Sequence, residues 1–288
     1  MKNNSFQDAG VQVGIAYNQY VNSLQQGHLD LFDYIEVPFE LLNFDGRLIQ
    51  TLNKKPLVLH CASLSLAGYT GVTPYIQEQI AHYVKATGTP WLGEHIAYIT
   101  EDRIDDNHYE AYAEGEPYNI GYTVSPVMNT EGVDNLIRNI QRQEDLLGTQ
   151  VIVENSPLYF SLPASTMTQT EFISEVCKNS NTRLLLDLTH LYISSKNFSF
   201  NAKKEITRLP LDRVTEVHIS GVSFDGGSHW DNHAGKAPDI IFELLEILLQ
   251  HVRPRAVTLE YNWHANFPSS ILEAELCRAR DVITKYCH

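Results

Sequence analysis

Apolar residues gather in eight short runs, each rich in β-branched or aromatic side chains and bounded by Gly, Pro, Asn or charge, which is the pattern of a strand. The runs are Val11 to Tyr17, Tyr34 to Phe39, Pro56 to Ala62, Trp91 to Ile99, Val151 to Asn155, Arg183 to Leu188, Val214 to Ser220 and Ala256 to Tyr261. Segments with helical signals lie between them, among them Pro74 to Thr87, Glu131 to Leu147, Thr168 to Lys178, Pro238 to Val252 and Ser269 to Tyr286. Thr168-Gln169-Thr170-Glu171 has capping-box spacing, in which a hydroxyl and a carboxylate three residues on satisfy free backbone N–H groups. Strand and helix alternate about eight times in a chain close to the ~250 residues typical of a (β/α)8 barrel. The expected architecture is therefore an α/β fold of the TIM-barrel type, one domain over residues 1–288. An open doubly wound sheet needs fewer units and usually a Gly-rich phosphate turn; no G-x-G-x-x-G or G-K-[ST] is present. Residues 100–129, rich in Asp, Glu and Tyr, break the short-loop rule after the fourth strand. Loops of that length are usually lids, binding loops or disordered, so the segment is read as a substrate-facing lid, with a solvated acidic excursion as the alternative.

Composition narrows the class. The chain has 288 residues, 43% of them hydrophobic and 19% charged, enough apolar material for the core of one large domain. The longest apolar stretch, Ile240 to Leu249, is interrupted by Glu243 and Glu246 and falls short of the roughly 20 apolar residues of a membrane span. The N-terminus lacks the basic-then-apolar order of a secretory signal, and a cytoplasmic location is expected. A net charge of −14 speaks against nucleic acid as a substrate, because binding a phosphate backbone depends on Lys and Arg displacing counterions. Cys61, Cys177, Cys277 and Cys287 form no C-x-x-C pair, so neither a disulfide framework nor a thiolate zinc site is suggested. A bound metal is left with His, Asp and Glu.

Those residue types recur at the ends of the apolar runs. Ile35-Glu36, Leu59-His60, Glu94-His95, Val153-Glu154, Leu186-Asp187, Val217-His218 and Leu259-Glu260 each close a run, and Asp231-Asn232-His233 follows the seventh. In a barrel the C-terminal strand ends converge on one face. Glu36, His60, His95, Glu154, Asp187, His218, Asp231, His233 and Glu260 are thereby expected around one cavity. Five carboxylates and four imidazoles there are mutually repulsive and poorly solvated unless cations compensate. Mixed imidazole and carboxylate donors suit iron, manganese or zinc; all-oxygen donors suit magnesium or calcium. For each residue alone the bland alternative is a helix cap or a satisfied backbone group. His28, His82, His108, His251 and His288 fall in helices, loops or the terminus and read as surface residues, and His229 and His264 carry no signal of their own.

The chain resembles the family of barrel-fold multinuclear non-haem iron enzymes typified by MbnB and TglH. The matching stretches are Tyr34-Ile35-Glu36-Val37, Leu59-His60-Cys61-Ala62-Ser63-Leu64-Ser65-Leu66-Ala67, Gly93-Glu94-His95-Ile96-Ala97-Tyr98, Val153-Glu154-Asn155-Ser156-Pro157, Leu184-Leu185-Leu186-Asp187-Leu188, Val217-His218-Ile219-Ser220-Gly221, Asp231-Asn232-His233-Ala234-Gly235 and Leu259-Glu260. The resemblance implies two or three iron ions held by His60, His95, Glu154, Asp187, His218, Asp231, His233 and Glu260, with manganese or zinc as other occupants. Glu154, Asp231 and His233 are the expected catalytic set. It further implies oxidation of a substrate with dioxygen, often at a cysteine of a ribosomally made precursor peptide, and commonly a partner protein that presents the leader segment. A small amino-acid-derived substrate is the other possibility. The chain departs from the family's pattern at Glu40-Leu41, where E-N is usual, and at Asp187-Leu188-Thr189-His190, where D-x-N-N is usual. His190 stands there as an extra ligand or as a support for one. Glu260-Tyr261-Asn262 lacks the arginine and carboxylate of E-R-D, and Gly14-Ile15-Ala16-Tyr17 lacks a basic residue.

Two other functions compete with an oxidative enzyme of natural-product biosynthesis. A divalent-metal isomerase or hydrolase of the xylose-isomerase type uses similar ligands without redox chemistry, but no Lys lies late in any predicted strand to serve sugar isomerisation. A non-enzymatic subunit that works through a partner would be expected to have lost ligands, and the ring here is nearly complete.

Overall fold

Strict alternation of side chains across the strands decides what faces the barrel axis and what faces the helices. The computed structural model describes residues 6, 10–18, 21, 29–52, 55–69, 71–101, 118–262 and 268–287. In chain order the strands are β1 (Gln12–Ala16), β2 (Tyr34–Pro38), β3 (Leu57–Cys61), β4 (Leu92–His95), β5 (Tyr98–Glu101), β6 (Tyr118–Val124), β7 (Val151–Glu154), β8 (Arg183–Asp187), β9 (Val214–Ser220), β10 (Ser223–Asp225), β11 (Ser228–Trp230) and β12 (Ala256–Glu260). Eight of them, in the order β1-β12-β9-β8-β7-β4-β3-β2, close a parallel barrel. The (β/α)8 architecture expected from the alternation of runs is the one observed.

Helices α1 (Phe39–Phe44), α2 (Leu48–Thr51), α3 (Pro74–Thr87), α4 (Thr130–Leu147), α5 (Gln169–Asn179), α6 (Leu188–Asn197), α7 (Ala202–Ile206), α8 (Asp239–Leu249) and α9 (Ser269–Tyr286) alternate with the strands. The capping box at Thr168 forms with both of its hydrogen bonds. Outward strand residues such as Ile35, Leu59, Val153, Leu186, Val217 and Leu259 join the large core beneath the helices, each burial contributing about 1.5–3 kcal/mol. Inward residues of the opposite parity form a second, smaller cluster, in which Tyr34, Val58, Trp91, Ile152, Leu185 and Ala256 fill the barrel floor. Phe6 packs edge-on against both Tyr34 and Trp91. Two residues further along each of these strands, the inward positions are Glu36, His60, Gly93, Glu154, Asp187 and Thr258, so the barrel interior turns from apolar to polar within one pleat.

The expected fourth strand, Trp91 to Ile99, is corrected by the structure. Pairing with β3 and β7 ends at His95, and the chain then leaves the barrel as β5, which pairs antiparallel with β6. This hairpin forms the flanks of the segment expected as a lid; residues 102–117 lie outside the described residues. No helix among the described residues is long and apolar enough to cross a membrane.

Candidate metal centre

His60, Glu154, Asp187, His218 and Glu260 arrive at the mouth of the barrel on β3, β7, β8, β9 and β12. His95 closes β4. Gly93, two residues earlier on the same inward face, leaves the room that the His60 ring and Leu185 occupy; a Cβ there would stand 3.0 Å from each. Asp231 and His233 do not come from a barrel strand. They lie on the loop after the β10–β11 hairpin, which folds back so that Asn262 N–H donates to the His233 carbonyl at 2.8 Å. Gly221 permits that fold, since a Cβ at this position would run into the carbonyl oxygens of Ala234 and Gly235.

The donor atoms fall into three adjoining groups, each with its ligand atoms within 4.8 Å of one another. The first is His60, His95 and Glu154, with His60 Nε2 2.8 Å and His95 Nδ1 2.9 Å from Glu154 Oε2. The second is Glu154, Asp187, His218 and Glu260, with His218 Nδ1 3.1 Å from Glu260 Oε2 and 3.6 Å from Glu154 Oε1. The third is His190, Asp231 and His233, with His190 Nε2 2.9 Å from Asp231 Oδ2 and His233 Nε2 3.0 Å from Asp231 Oδ1. Glu154 belongs to the first two groups and joins them. Burial is graded: Asp187 and His218 are fully enclosed, Glu154 is 1% exposed, His60, His95, Glu260 and Asp231 lie between 12% and 16%, and His233 reaches 30%. The centre has a dry floor and an accessible rim.

The donor set fits cations. His95 Nδ1, Asp187 Oδ2, His218 Nδ1 and Asp231 Oδ1 are buried without a hydrogen-bond partner, and all four point into the cluster. Buried polar atoms are otherwise almost always paired. Their neighbouring atoms, by contrast, are engaged in ways that aim the orphans inward. Asp187 Oδ1 accepts from the His190 backbone N–H and caps α6, leaving Oδ2 free. Asn155 clamps the Asp187 backbone through two 2.9 Å hydrogen bonds. His218 Nε2 lies 3.0 Å from Glu36 Oε2, which assigns the ring proton to that side and turns Nδ1 toward the cluster. Burial alone lowers the imidazoles, yet the surrounding carboxylates override it and push His60 up to about 10 and His233 to about 9. Burial raises Glu260, but His218 and His233 outweigh it and bring the carboxyl down to about 2. Such a field holds positive charge firmly, whether protons or cations.

All eight expected ligands therefore converge, and so does His190, the residue left undecided between ligand and support. Its signal was its place in Asp187-Leu188-Thr189-His190, where the family's pattern has D-x-N-N. Glu36 takes a different part: it sits behind His218, beside Glu216. Glu36, Glu216 and His218 also approach one another, but Glu216 already accepts from Thr258 Oγ1 at 2.6 Å, Tyr34 Oη at 3.2 Å and Trp91 Nε1 at 2.6 Å. Glu36 and Glu216 thus stand behind His218 in a hydrogen-bonded network that supports its ring. Glu216 carries no signal in the sequence pattern of polar strand ends, because it lies inside β9, two residues before His218 on the same inward face. His82 and His251 are exposed. His229 packs against Phe224 and Tyr192 outside the ligand groups, and His28, His108, His264 and His288 lie outside the described residues.

Comparison with known proteins agrees with this layout. Residues 12–284 match the family model described as RiPP precursor modification enzyme MbnB/TglH/ChrH. A UPF0276 protein of Acinetobacter baylyi is 27% identical over 256 residues, covering 86% of this chain and 83% of its own length. A UPF0276 protein of Anaeromyxobacter sp. (strain Fw109-5) is 26% identical over 241 residues, covering 82% and 80%. Among solved structures, a D-tagatose 3-epimerase-like protein superposes with a TM-score of 0.59 at 14% identity over 96% of this chain and 99% of its own; that likeness concerns the fold.

Proposed function

The chain belongs to the MbnB/TglH/ChrH family of RiPP precursor modification enzymes, and from that premise we propose that it is a multinuclear non-haem iron oxidase or oxygenase acting on a peptide precursor. The peptide's cysteine thiol is the first target to try. The observation that carries this reading is the graded cluster of imidazole and carboxylate donors, joined through Glu154, at the open end of the barrel. Ferrous iron, when bound, supplies redox chemistry and Lewis acidity toward dioxygen and an anionic substrate donor.

The chain's own residues supply the rest. Glu154 joins the first two groups and fixes their separation. Asp187 and His218, fully enclosed, keep water from the floor of the centre, and Glu36 holds His218 in the tautomer that presents Nδ1. Asp231 and His233 form the rim, where a substrate enters; with Glu154 they are the proposed catalytic set. Tyr159, stacked on Trp230 with ring centroids 4.8 Å apart, accepts from the Asp231 backbone N–H at 3.0 Å and so fixes the rim against an aromatic wall. A separate protein that presents the peptide leader is part of the proposal.

The test is metal content on untagged protein purified anaerobically, followed by dioxygen uptake with a cysteine-containing precursor peptide. Two or three irons per chain and peptide-dependent uptake are expected, and His218→Ala and Glu260→Ala should each lower the iron and abolish uptake. Zinc, manganese or magnesium alone, with no uptake, would move the assignment to a metal-dependent isomerase or hydrolase.

A further inference from the structure

Helix α6 borders the donor cluster on one face and an apolar cavity on another. Its first turn carries His190, whose Nε2 lies 2.9 Å from Asp231 Oδ2. Its last residue, Asn197, donates to the carbonyls of Leu158 and His229, each at 3.1 Å, so both ends of the helix stay beside the β7–α5 connection and the loop that carries Asp231. The cavity has a volume of about 410 Å³ and is walled by Leu158, Phe160, Leu191, Phe198, Met128 and Met167. That volume is within the ~300–1,000 Å³ of ordinary ligand sites. Its walls are held by the protein's own hydrogen bonds. Leu158 N–H donates to Ser194 Oγ at 2.9 Å, Met128 N–H to Ser165 Oγ at 3.0 Å, and the Thr166 and Met167 N–H groups to the Met128 carbonyl at 2.9 and 3.0 Å. The two charged residues on the lining, Glu205 and Arg208, pair with each other at 3.0 Å. Phe160 is 52% and Phe198 39% exposed. Scattered exposed apolar residues are ordinary, but two open rings on the same cavity form a patch of the kind that marks binding.

We propose that this cavity is a subsite for one bulky apolar side chain of the peptide substrate, an aromatic one best of all, which anchors the peptide a few residues away from the atom being modified. The proposal rests on the peptide-enzyme reading above and adds where the peptide is held. The connection after β7 argues for a peptide side chain as the occupant, since it starts at Glu154 in the donor cluster and reaches the cavity at Leu158. Four residues span at most about 14 Å, the length of about four residues of extended peptide. A peptide whose reacting residue sits at the donors therefore reaches the cavity within four positions. Tyr159, between Leu158 and Phe160, instead stacks on Trp230 and accepts from the Asp231 backbone N–H at 3.0 Å, so one short segment walls the cavity and braces the donor-bearing loop. Side-chain chemistry sets the class of occupant. Met128 and Met167 adapt to irregular shapes and make favourable sulfur contacts with rings, and Phe160 and Phe198 add ring pairs. Because Glu205 and Arg208 already neutralise each other, a charged side chain entering here would lose its hydration without gaining a partner.

The metal-free full chain tests the cavity by itself, with N-acetyl-L-phenylalaninamide as probe and N-acetylglycinamide as control, titrated by saturation-transfer NMR. The phenylalanine amide should bind and the glycine amide should not. Ser161→Trp, at an exposed position on the lining, should fill the cavity and abolish binding. Phe160→Ser should weaken it by about 2–10-fold, the loss of one aromatic contact, and keeps the test decisive if the first variant folds poorly. Unchanged binding in both variants, or toluene bound with the amide excluded, would overturn the subsite. The chain loaded anaerobically with ferrous iron is then titrated by calorimetry with acetyl-Cys-Gly-Gly-Phe-amide and acetyl-Phe-Gly-Gly-Cys-amide, against acetyl-Cys-Gly-Gly-Gly-amide. The better of the two Phe peptides should bind about 10–100-fold tighter than the all-glycine one, the effect of burying one aromatic side chain, and Ser161→Trp should erase that advantage. Equal affinities for all three would overturn the subsite while leaving the iron reading intact. Phenylalaninamide bound in the cavity with no affinity for any cysteine peptide would support the subsite and overturn the thiol target proposed above.

Discussion

His218 shows how a single side chain is specified by what stands on both sides of it. Its Nδ1 faces Glu260 and Glu154, and its Nε2 faces Glu36. Behind Glu36 stands Glu216, whose carboxyl is raised to about 7 by burial and by the charge of Glu36. Two carboxyls in so dry a place are tolerated because donors surround them: Trp91, Thr258 and Tyr34 all serve Glu216, and the His218 ring proton serves Glu36. A ligating imidazole whose other nitrogen donates to a carboxylate is a stronger base than one that donates to a neutral acceptor. Glu36→Gln keeps the size and an acceptor oxygen but removes the charge. It is expected to weaken metal binding by about 10–100-fold with little change in fold, read by competition with a chromophoric chelator. Unchanged affinity would reduce Glu36 to a packing role.

At the scale of elements, the loop from Gly221 to Gly235 carries the rim and depends on one missing methyl group. Gly221→Ala forces the Ala234 and Gly235 carbonyls away, and overpacking of this kind typically costs about 1–3 kcal/mol. The expected result is a lower metal content per chain, because Asp231 and His233 are carried out of reach of the other donors; unchanged content would show that the loop can retreat without moving Asp231 and His233. The same elements explain what was legible beforehand. Strand ends were readable because outward positions such as Val153, Leu186 and Leu259 stay apolar to the last residue while the inward neighbours Glu154, Asp187 and Glu260 turn polar. The break after His95 was not readable, because Ile96, Ala97 and Tyr98 continue the apolar run and only the pairing partners end. The β10–β11 hairpin was also missed: three-residue strands around Gly226-Gly227 are too short to show period two. His190 was ambiguous for a physical reason, since a histidine in the first turn of a helix is as able to cap or pack as to ligate, and only the position of Asp231, 41 residues on, places it beside the other donors.

Across the whole molecule, cation binding at the centre would be coupled to the stability of the barrel, because six of its nine residues, His60, His95, Glu154, Asp187, His218 and Glu260, come from six separate barrel strands. With metal removed, protons must balance the carboxylates. Burial works against the imidazolium forms, but Glu154 and Glu36 hold His60 at about 10, and Asp231 and Glu260 hold His233 at about 9. Both values lie above the ordinary 6.5 of an unfolded histidine, so their contribution is complete below pH 6.5 and is lost as pH rises through 9 to 10. Burial also raises Glu94 to about 8 and Asp187 to about 7; a carboxyl raised in the folded state favours folding while protonated, and its contribution too declines as pH rises from the ordinary carboxyl range to those values. All four groups act in one direction, and the chelated protein should lose thermal stability steadily between pH 6.5 and pH 9.5. Bound metal takes over the neutralising role, and its affinity strengthens as competing protons leave the ligands. It also stabilises the fold by mass action, since the unfolded chain cannot assemble the site. Melting of chelated protein and of protein loaded stoichiometrically before the pH is adjusted, each followed by circular dichroism at pH 6.5 and 9.5, should therefore show a gap that widens with pH. Curves that fall in parallel would mean that the cluster's protons and its cations do not occupy the same place, and that the carboxylates are balanced by groups other than His60 and His233.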